Sequence, residues 1–323
     1  MFLNAYYFRA HMYTLVPRQV REDMQWMADV GTNAVSIAVL EQDLYAAVSN
    51  IDIICHEADR VGMQVHVVPS RWGGIVAGAP KVPSQFTITN PQTWMLDESG
   101  RAIHSSVSGA MSSIYHPDTT EFFIENLSTV LKQWPIAGIV FDEPKVLHGR
   151  DFCDLARARH GDTFDDALYV SDVAAFFGTL CKHIKRKRGD ARTSLFLYAS
   201  ERAEIVDVMA ATESLDYFGC DGRPWGLADG GRTDGAADKV LLGRAERFVE
   251  AARRNGKEGL ILIENHNMRV EDNERMDRRL PQVLRLGAEH VLYYYYPRNL
   301  EDPDANMSIL AKHVRECRAS NGG

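Results

Sequence analysis

Eight short apolar runs, separated by longer amphipathic stretches, constrain the fold of this 323-residue chain more than any other feature of its sequence. Each run is rich in Val, Ile, Phe or Tyr and is short enough to be a strand that is buried on both faces. The runs are NAYYFRA (4–10), AVSIAVL (34–40), QVHVVPS (64–70), AGIVFDE (137–143), SLFLYAS (194–200), LDYFGCD (215–221), GLILIEN (259–265) and HVLYYYY (290–296).

Helical spacing of apolar residues fills the stretches between these runs. The first helix follows Pro17, a residue suited to a first helical turn, and the others are expected at 45–61, 118–132, 165–187, 202–211, 238–254, 275–286 and 303–317. This alternation predicts an α/β fold, a single (β/α)8 TIM barrel that occupies residues 1–323 as one domain. An open doubly wound sheet is the alternative, although the dinucleotide fingerprint GxGxxG is missing after the first strand.

The segment 71–117, between the third strand and the third helix, is too long for a simple connection. Long loops inside compact domains are usually functional. This one contains several Gly and Pro residues together with Trp72 and Trp94, and we expect it to form an insertion that covers the substrate on the active face of the barrel.

Composition narrows the classes of partner. The net charge of −8 argues against a nucleic-acid partner, which requires a basic surface, and no stretch reaches the length of about 18 apolar residues that a membrane span needs. The five cysteines are scattered without a CxxC pair, so neither a structural zinc site nor a redox motif is indicated. With no recognisable signal peptide, these features predict a reduced, soluble, cytoplasmic protein, and its oligomeric state stays open.

Active sites of this fold are built at the carboxyl ends of the strands, so polar residues at the ends of the predicted strands are the candidates. Glu143 and Glu264 are the expected catalytic pair. The expected substrate-binding residues are Arg9, His11, Arg71, Trp72, Asp142, Tyr198, Asp221, Trp225, Asn265, His266, Tyr295 and Arg298.

The two glutamates are expected to face each other across the barrel. Strand parity places Glu143 on the same face as Ile139 and Phe141, and Glu264 on the same face as Leu262. The fourth and seventh strands lie nearly opposite in an eight-stranded barrel. Two carboxyl groups across a substrate suit glycoside hydrolysis, in which one protonates the leaving oxygen and the other attacks the anomeric carbon or activates water. A structural ion pair with an arginine is the alternative for either glutamate.

The sequence Asp142-Glu143-Pro144 resembles the strand-4 motif of the retaining (β/α)8 glycoside hydrolases, which usually reads Asn-Glu-Pro. The resemblance implies that Glu143 is the acid/base, that Glu264 is the nucleophile, and that a small glycoside or oligosaccharide is cleaved without a cofactor. The departure matters because the Asn of that clan donates a hydrogen bond to the sugar 2-hydroxyl, whereas an ionised Asp142 can only accept one.

Four arginines, Arg9, Arg71, Arg223 and Arg298, follow or end strands on the same face of the predicted barrel. Each taken alone is best explained by a structural salt bridge. Together they predict a preference for an anionic sugar, because the guanidinium fork binds carboxylate, sulfate or phosphate.

Three other activities stay open. The Asp142–Glu143 pair also resembles that of substrate-assisted N-acetylhexosaminidases, in which the Asp orients the 2-acetamido group and the Glu is the acid. Glu143, Glu264 and His266 are also suited to a divalent metal in a sugar isomerase or epimerase, although no metal is expected because no HxH or HExxH spacing supports one. The third alternative is a barrel that binds sugar without catalysing a reaction.

Overall fold

Eight parallel strands close into a barrel in the computed structural model, which describes residues 1–7, 15–78, 80–105, 108–161, 163–229 and 239–320. The strands in chain order are β1 (Phe2–Tyr7), β2 (Ala34–Val39), β3 (Gln64–Pro69), β4 (His104–Ser105), β5 (Gly109–Ala110), β6 (Ile136–Asp142), β7 (Arg192–Tyr198), β8 (Tyr217–Gly226), β9 (Val240–Leu242), β10 (Glu258–Ile263) and β11 (His290–Tyr294). The barrel runs β1-β2-β3-β6-β7-β8-β10-β11, and β11 pairs with β1 to close it. The predicted barrel is confirmed.

Helices connect the strands around the outside. They are α1 (Pro17–Val30), α2 (Asp43–Ala46), α3 (Val48–Arg60), α4 (Gln85–Thr89), α5 (Pro117–Gln133), α6 (Asp154–His160), α7 (Asp166–Lys187), α8 (Ala203–Ala210), α9 (Ala245–Arg254), α10 (Val270–Leu284) and α11 (Pro303–Ser320). Pro17 opens α1, and Gly31 ends it in the left-handed conformation with φ 104°. The eight predicted helices correspond to all of these except the short α2, α4 and α6. The expected helix at 238–254 begins only at Ala245, because β9 precedes it.

Two layers of apolar side chains hold the barrel together. The larger layer lies between strands and helices, and the smaller fills the barrel interior with residues such as Val140, Leu262 and Tyr294. Leu262 therefore lies on the inward face, as parity predicted. Ile139 and Phe141 lie in the outer layer instead, so the predicted parity of β6 was wrong.

The segment 71–117 carries the antiparallel pair of β4 and β5 and the helix α4. Arg71, Gly78, Lys81 and Ser108 from this segment line the large cavity at the carboxyl ends of the strands. In the described part of the chain, none of the helices combines the length and the apolar character needed to cross a membrane.

Candidate active site

A cavity of about 860 Å³ opens at the carboxyl ends of the barrel strands. Nine of the residues singled out from the sequence line it, namely Arg71, Asp142, Glu143, Tyr198, Asp221, Arg223, Glu264, His266 and Arg298. Arg9 and His11 lie outside the described residues.

Three buried carboxylates converge in this cavity. Glu143 directly follows β6, Asp221 lies within β8, and Glu264 directly follows β10. One oxygen of each lies within 4.8 Å of the others. Like charges at this spacing repel strongly in a buried site, so the cluster requires nearby cations, shared protons, or both.

Lys239 supplies the first cation. Its Nζ lies 2.7 Å from Glu143 Oε1, 3.4 Å from Glu264 Oε1 and 3.6 Å from Asp221 Oδ2. It also lies 3.6 Å from the ring centroid of Tyr198, a cation–π contact. The Lys239 ammonium thus occupies the space between the two glutamates that the sequence pairs across the barrel.

Lys145 supplies the second cation. It comes two residues after Glu143 and contacts that carboxylate and the hydroxyl of Tyr198. Its backbone N–H donates to the carbonyl of Ile75 at 2.6 Å, which ties the end of β6 to the 71–117 segment. The two lysines therefore hold Glu143 from both of its oxygens.

These cations decide the ionisation of the two glutamates. Burial alone would raise the pKa of Glu143, but the charges of Lys239 and Lys145 outweigh burial and hold the pKa well below its usual value. Burial would also raise the pKa of Glu264, and Lys239 together with a hydrogen bond from His266 lowers it instead. Both glutamates are ionised at neutral pH.

The two aspartates shift in the opposite direction. Burial, reinforced by the charge of Glu143, raises the pKa of Asp221 well above its ordinary value, and the two side chains share a hydrogen bond. Burial and Glu143 raise the pKa of Asp142 to about 6, while the hydroxyl of Tyr6 donates to its Oδ2 at 3.0 Å. The cavity thus holds two glutamates whose pKa values are lowered beside two aspartates whose pKa values are raised.

Unusual backbone conformations cluster at the same cavity. Arg71, Glu143, Asn267 and Tyr296 line it and have left-handed φ values of 62°, 32°, 50° and 42°. Such strain is retained where the surrounding structure enforces it, often at functional sites. The left-handed turn at Glu143 brings its side chain into the cavity although Asp142 before it also points there.

The two tryptophans expected to stack on a sugar lie elsewhere. Trp72 is fully buried in the outer apolar layer, and its indole N–H donates to the carbonyl of Val39 at 2.9 Å. Trp225 is 4% exposed and lies against the guanidinium of Arg275. Trp72 and Trp225, expected from the sequence to contact substrate, do not line the cavity, because packing buries both rings.

Two predicted residues at the ends of β10 and β11 also miss the cavity. The hydroxyl of Tyr295 donates to Asp23 at 2.9 Å on the outside of the barrel, while the neighbouring Tyr294 points inward and lines the cavity. The buried amide of Asn265 bonds to the backbone of Tyr294 and to Asn306. Tyr295 and Asn265 therefore do not line the cavity and instead stabilise the ends of the strands that carry its residues.

The predicted arginines divide into two roles. Arg223 donates to the carbonyl of His266, and its Nε lies 4.0 Å from Glu264, so it braces the end of β10. Arg71 donates to the carbonyls of Gly78 and Pro80 and lines the cavity. Arg298 is exposed and lines the cavity mouth.

Sequence reasoning missed Lys81, Lys145 and Lys239, which line the cavity. Lys145 follows a strand end by three residues, and the rule that selected Glu143 would have found it. Lys239 had no local signal, because its position depends on the pairing of β9 with β8.

The fold has well-matched counterparts among solved structures. The catalytic domain of a β-amylase from Paenibacillus polymyxa superposes with a TM-score of 0.66 at 10% identity and covers 98% of each chain. A cold-adapted β-galactosidase from Rahnella sp. R3 gives a TM-score of 0.68 at 13% identity, and this chain spans 56% of its length. An endo-β-1,4-mannanase from Thermotoga petrophila gives 0.58 at 10% identity, covering 99% of this chain and 77% of that one.

These neighbours are glycoside hydrolases built on an eight-stranded parallel barrel, and at such low identity the likeness shows the fold. No protein-family model matches the sequence, and no curated protein matches it either.

Proposed function

We propose that this protein is a glycoside hydrolase that cleaves a small glycoside or oligosaccharide with retention of configuration. The observation that carries the proposal is the approach of Glu143 and Glu264, whose carboxylate oxygens lie within 4.8 Å of each other in the cavity. Retaining enzymes hold their two carboxyl groups about 5–5.5 Å apart, whereas inverting enzymes need about 6.5–9.5 Å to admit a water molecule.

Glu264 is the proposed nucleophile. A nucleophilic carboxylate must be ionised, and the lowered pKa of Glu264 meets that condition. His266 Nε2 lies 3.6 Å from Glu264 Oε1 and orients the carboxylate. In the first step Glu264 would form a bond to the anomeric carbon as the bond to the leaving oxygen breaks.

Glu143 is the proposed acid/base, so it must carry a proton when the bond to the leaving oxygen breaks. Lys239 and Lys145 lower the pKa of Glu143, whereas the pKa of its hydrogen-bonded neighbour Asp221 is raised, so we assign the proton between the two carboxyl groups to Asp221 in the unliganded protein. A sugar placed between the glutamates must displace the Lys239 ammonium. That displacement removes the larger of the two cationic effects that lower the pKa of Glu143, so Glu143 can take the proton it shares with Asp221 and pass it to the leaving group.

The stereochemistry of the first product tests this proposal. Aryl glycosides of both anomeric configurations, from neutral hexoses and hexuronic acids, would be screened, and the hydrolysis of the best substrate followed by proton NMR before the hemiacetal mutarotates. We expect the initial hemiacetal to keep the anomeric configuration of the substrate. An initial product of opposite configuration would rule out a nucleophilic Glu264.

Lys239→Met is expected to move the acid limb of the kcat/KM profile to higher pH. The charge of Lys239 lowers the pKa of Glu264 in the free enzyme, and its removal raises that pKa, so activity is lost at a higher pH as the medium is acidified. Lys132→Met, an exposed lysine on α5, is the matched control and should leave the limb in place. An unmoved limb in Lys239→Met would show that the lysine does not set the ionisation of the site.

Two finer points belong to the same proposal. The substrate carries negative charge, and this is supported by the six Lys and Arg side chains among the described cavity residues, against four Asp and Glu. The enzyme acts in the cytoplasm on a small imported glycoside, and this is supported by five cysteines that form no disulfide among the described residues.

A metal-dependent sugar isomerase is the second candidate, because Glu143, Asp221 and Glu264 offer three oxygens to one point. The fit is poor while the Lys239 ammonium contacts all three carboxylates, since a divalent ion there would require the lysine to leave. Activity that disappears on chelation and returns with added Mn²⁺ would favour this candidate over the hydrolase.

A further inference from the structure

Glu41 is a buried carboxylate that lies outside the cavity. It follows the end of β2, it is 8% exposed, and it does not line the cavity. Burying a carboxylate is costly unless its oxygens accept hydrogen bonds. The donors that offset this cost show which part of the chain Glu41 holds.

The side-chain oxygens of Glu41 accept hydrogen bonds from the 71–117 segment. Oε1 accepts from the N–H of Gly73 at 3.1 Å and from the hydroxyl of Ser84 at 2.6 Å. Oε2 accepts from the N–H of Phe86, near the start of α4, at 2.7 Å. Hydrogen bonds to an ionised carboxylate are roughly twice as strong as those between neutral groups. One buried carboxylate therefore joins the two ends of the stretch 73–86.

The same stretch is hydrogen-bonded to the backbone on both sides of Glu143. The N–H of Ala77 donates to the carbonyl of Asp142 at 2.8 Å, and the N–H of Lys145 donates to the carbonyl of Ile75 at 2.6 Å. Glu143 lies between these two contacts and has the left-handed φ of 32°. A non-glycine residue retains such a conformation where the surrounding structure enforces it. The two hydrogen bonds supply part of that constraint.

The backbone between these contacts is itself closed by hydrogen bonds. The N–H of Arg71 donates to the carbonyl of Ala77 at 3.0 Å, and the N–H of Ile75 donates to that of Trp72 at 3.0 Å. The indole of Trp72 is fully buried. A shift of Gly73 is therefore passed on to Ile75 and Ala77 instead of being absorbed between them.

We infer that Glu41 is a positioning residue for Glu143. By holding Gly73 and the start of α4, its carboxylate fixes the backbone that keeps Glu143 in the left-handed conformation from which its side chain enters the cavity. Glu41 does not touch the reacting atoms and acts only through the stretch 73–86. The inference rests on the proposed function for the role of Glu143 as the acid/base.

Glu41→Gln weakens this anchor with little change of shape. The amide has one acceptor oxygen, so at least one of the donors from Gly73, Ser84 and Phe86 faces an NH2 group and loses its partner. Ser84→Ala is a second, milder variant, which removes one donor and is expected to give the same pattern at smaller size. It provides the test if Glu41→Gln does not fold.

Glu57→Gln is the matched control. Glu57 on α3 is another buried glutamate, 3% exposed, and its partners are Arg21 on α1 and Arg60 on α3. Its substitution also removes a buried carboxylate, but at a place that is not connected to the stretch 73–86 by these contacts. Any effect that Glu41→Gln shares with Glu57→Gln reflects general loss of stability.

Leaving-group dependence measures the position of Glu143. We expect Glu41→Gln to lower kcat about 10–100-fold for a glycoside with a poor leaving group, which needs the proton of Glu143, and to change it little for the matching dinitrophenyl glycoside. In the Glu143→Gln background, Glu41→Gln should cause no further loss. Glu57→Gln should keep the parent ratio between the two substrates.

Hydrogen exchange followed by mass spectrometry tests the connection without turnover. We expect Glu41→Gln to speed exchange in the peptides that contain the amides of Ala77 and Lys145, because both amides depend on the held stretch. Peptides from α9, on another side of the barrel, should exchange as in the parent, and Glu57→Gln should leave the amides of Ala77 and Lys145 unchanged.

The outcomes separate this inference from the proposed function. Equal losses on both leaving groups, a full additional loss in the Glu143→Gln background, unchanged exchange at Ala77 and Lys145, or the same effects in Glu57→Gln would overturn the positioning role. Faster exchange at both amides in a protein that cleaves no glycoside would contradict the hydrolase and leave Glu41 as the residue that holds the backbone around Glu143.

Discussion

Glu264→Gln is expected to lower kcat on the best glycoside by on the order of 10⁴-fold or more, the scale seen when a nucleophile is removed. The amide has nearly the shape of the carboxylate but cannot form the glycosyl ester. Lys239 and His266 both contact the same oxygen, Oε1, which an amide oxygen can replace, so the cavity should keep its form. The measurement is kcat and KM on purified variant and parent, together with calorimetric binding of the substrate sugar.

The matched control is Glu125→Gln, an exposed glutamate on α5, which should retain full activity. Retained sugar binding with lost turnover in Glu264→Gln is the expected combination. Undiminished turnover in Glu264→Gln would show that Glu264 is not the nucleophile. Absence of turnover in the parent as well, with sugar affinity unchanged in both variants, would identify a sugar-binding barrel without catalysis.

Glu143→Gln is expected to slow hydrolysis by about 10²–10⁴-fold for glycosides with a poor leaving group, the range for loss of a general acid. The loss should be much smaller for a dinitrophenyl glycoside, because dinitrophenolate leaves without being protonated. The ratio between the two substrates measures acid catalysis directly, and it separates this role from a general disturbance of the cavity.

Asp142→Asn provides the comparison for Glu143→Gln, because it changes the neighbouring buried carboxyl and restores the Asn-Glu-Pro pattern of the clan that the sequence resembles. Its effect on the two leaving groups should be equal. If Glu143→Gln also slows both substrates equally, proton donation has to be assigned to another group, and Asp221 is then the first choice because its pKa is raised beside Glu143.

The barrel could be predicted from the sequence because strand and helix periods are local signals. Eight apolar runs alternating with helical patterns specify a closed parallel sheet, and the carboxyl-end rule then selected Glu143, Asp221 and Glu264 without any knowledge of distances. The face predicted for β6 from strand parity was wrong. Asp142 points into the barrel, and the next residue, Glu143, does so as well because its left-handed backbone interrupts the alternation of side chains. No clear sequence signal predicts a left-handed conformation at a residue other than glycine.

The lysines and the aromatic residues show the limits of local reasoning. Lys239 lies at the start of a stretch with helical spacing, and only its pairing beside Arg223 brings it to the carboxylates. Trp72 and Trp225 lie in Gly/Pro-rich segments, RWGG and RPWG, that favour exposure, yet both side chains are buried. Burial and ion pairing of this kind depend on tertiary contacts, which one sequence does not contain.

Trapping the covalent intermediate tests the central claim most directly. The protein would be incubated with a 2-deoxy-2-fluoro glycoside of its substrate sugar bearing dinitrophenolate, then digested and analysed by mass spectrometry. Fluorine at C2 disfavours the positively charged transition state and slows release of the sugar from the enzyme. We expect a fluoroglycosyl label on the tryptic peptide 258–269, with fragment ions assigning it to Glu264 and not to Glu258. A label on another residue, or continued cleavage of the unmodified glycoside with no adduct, as a substrate-assisted route would give, would contradict it.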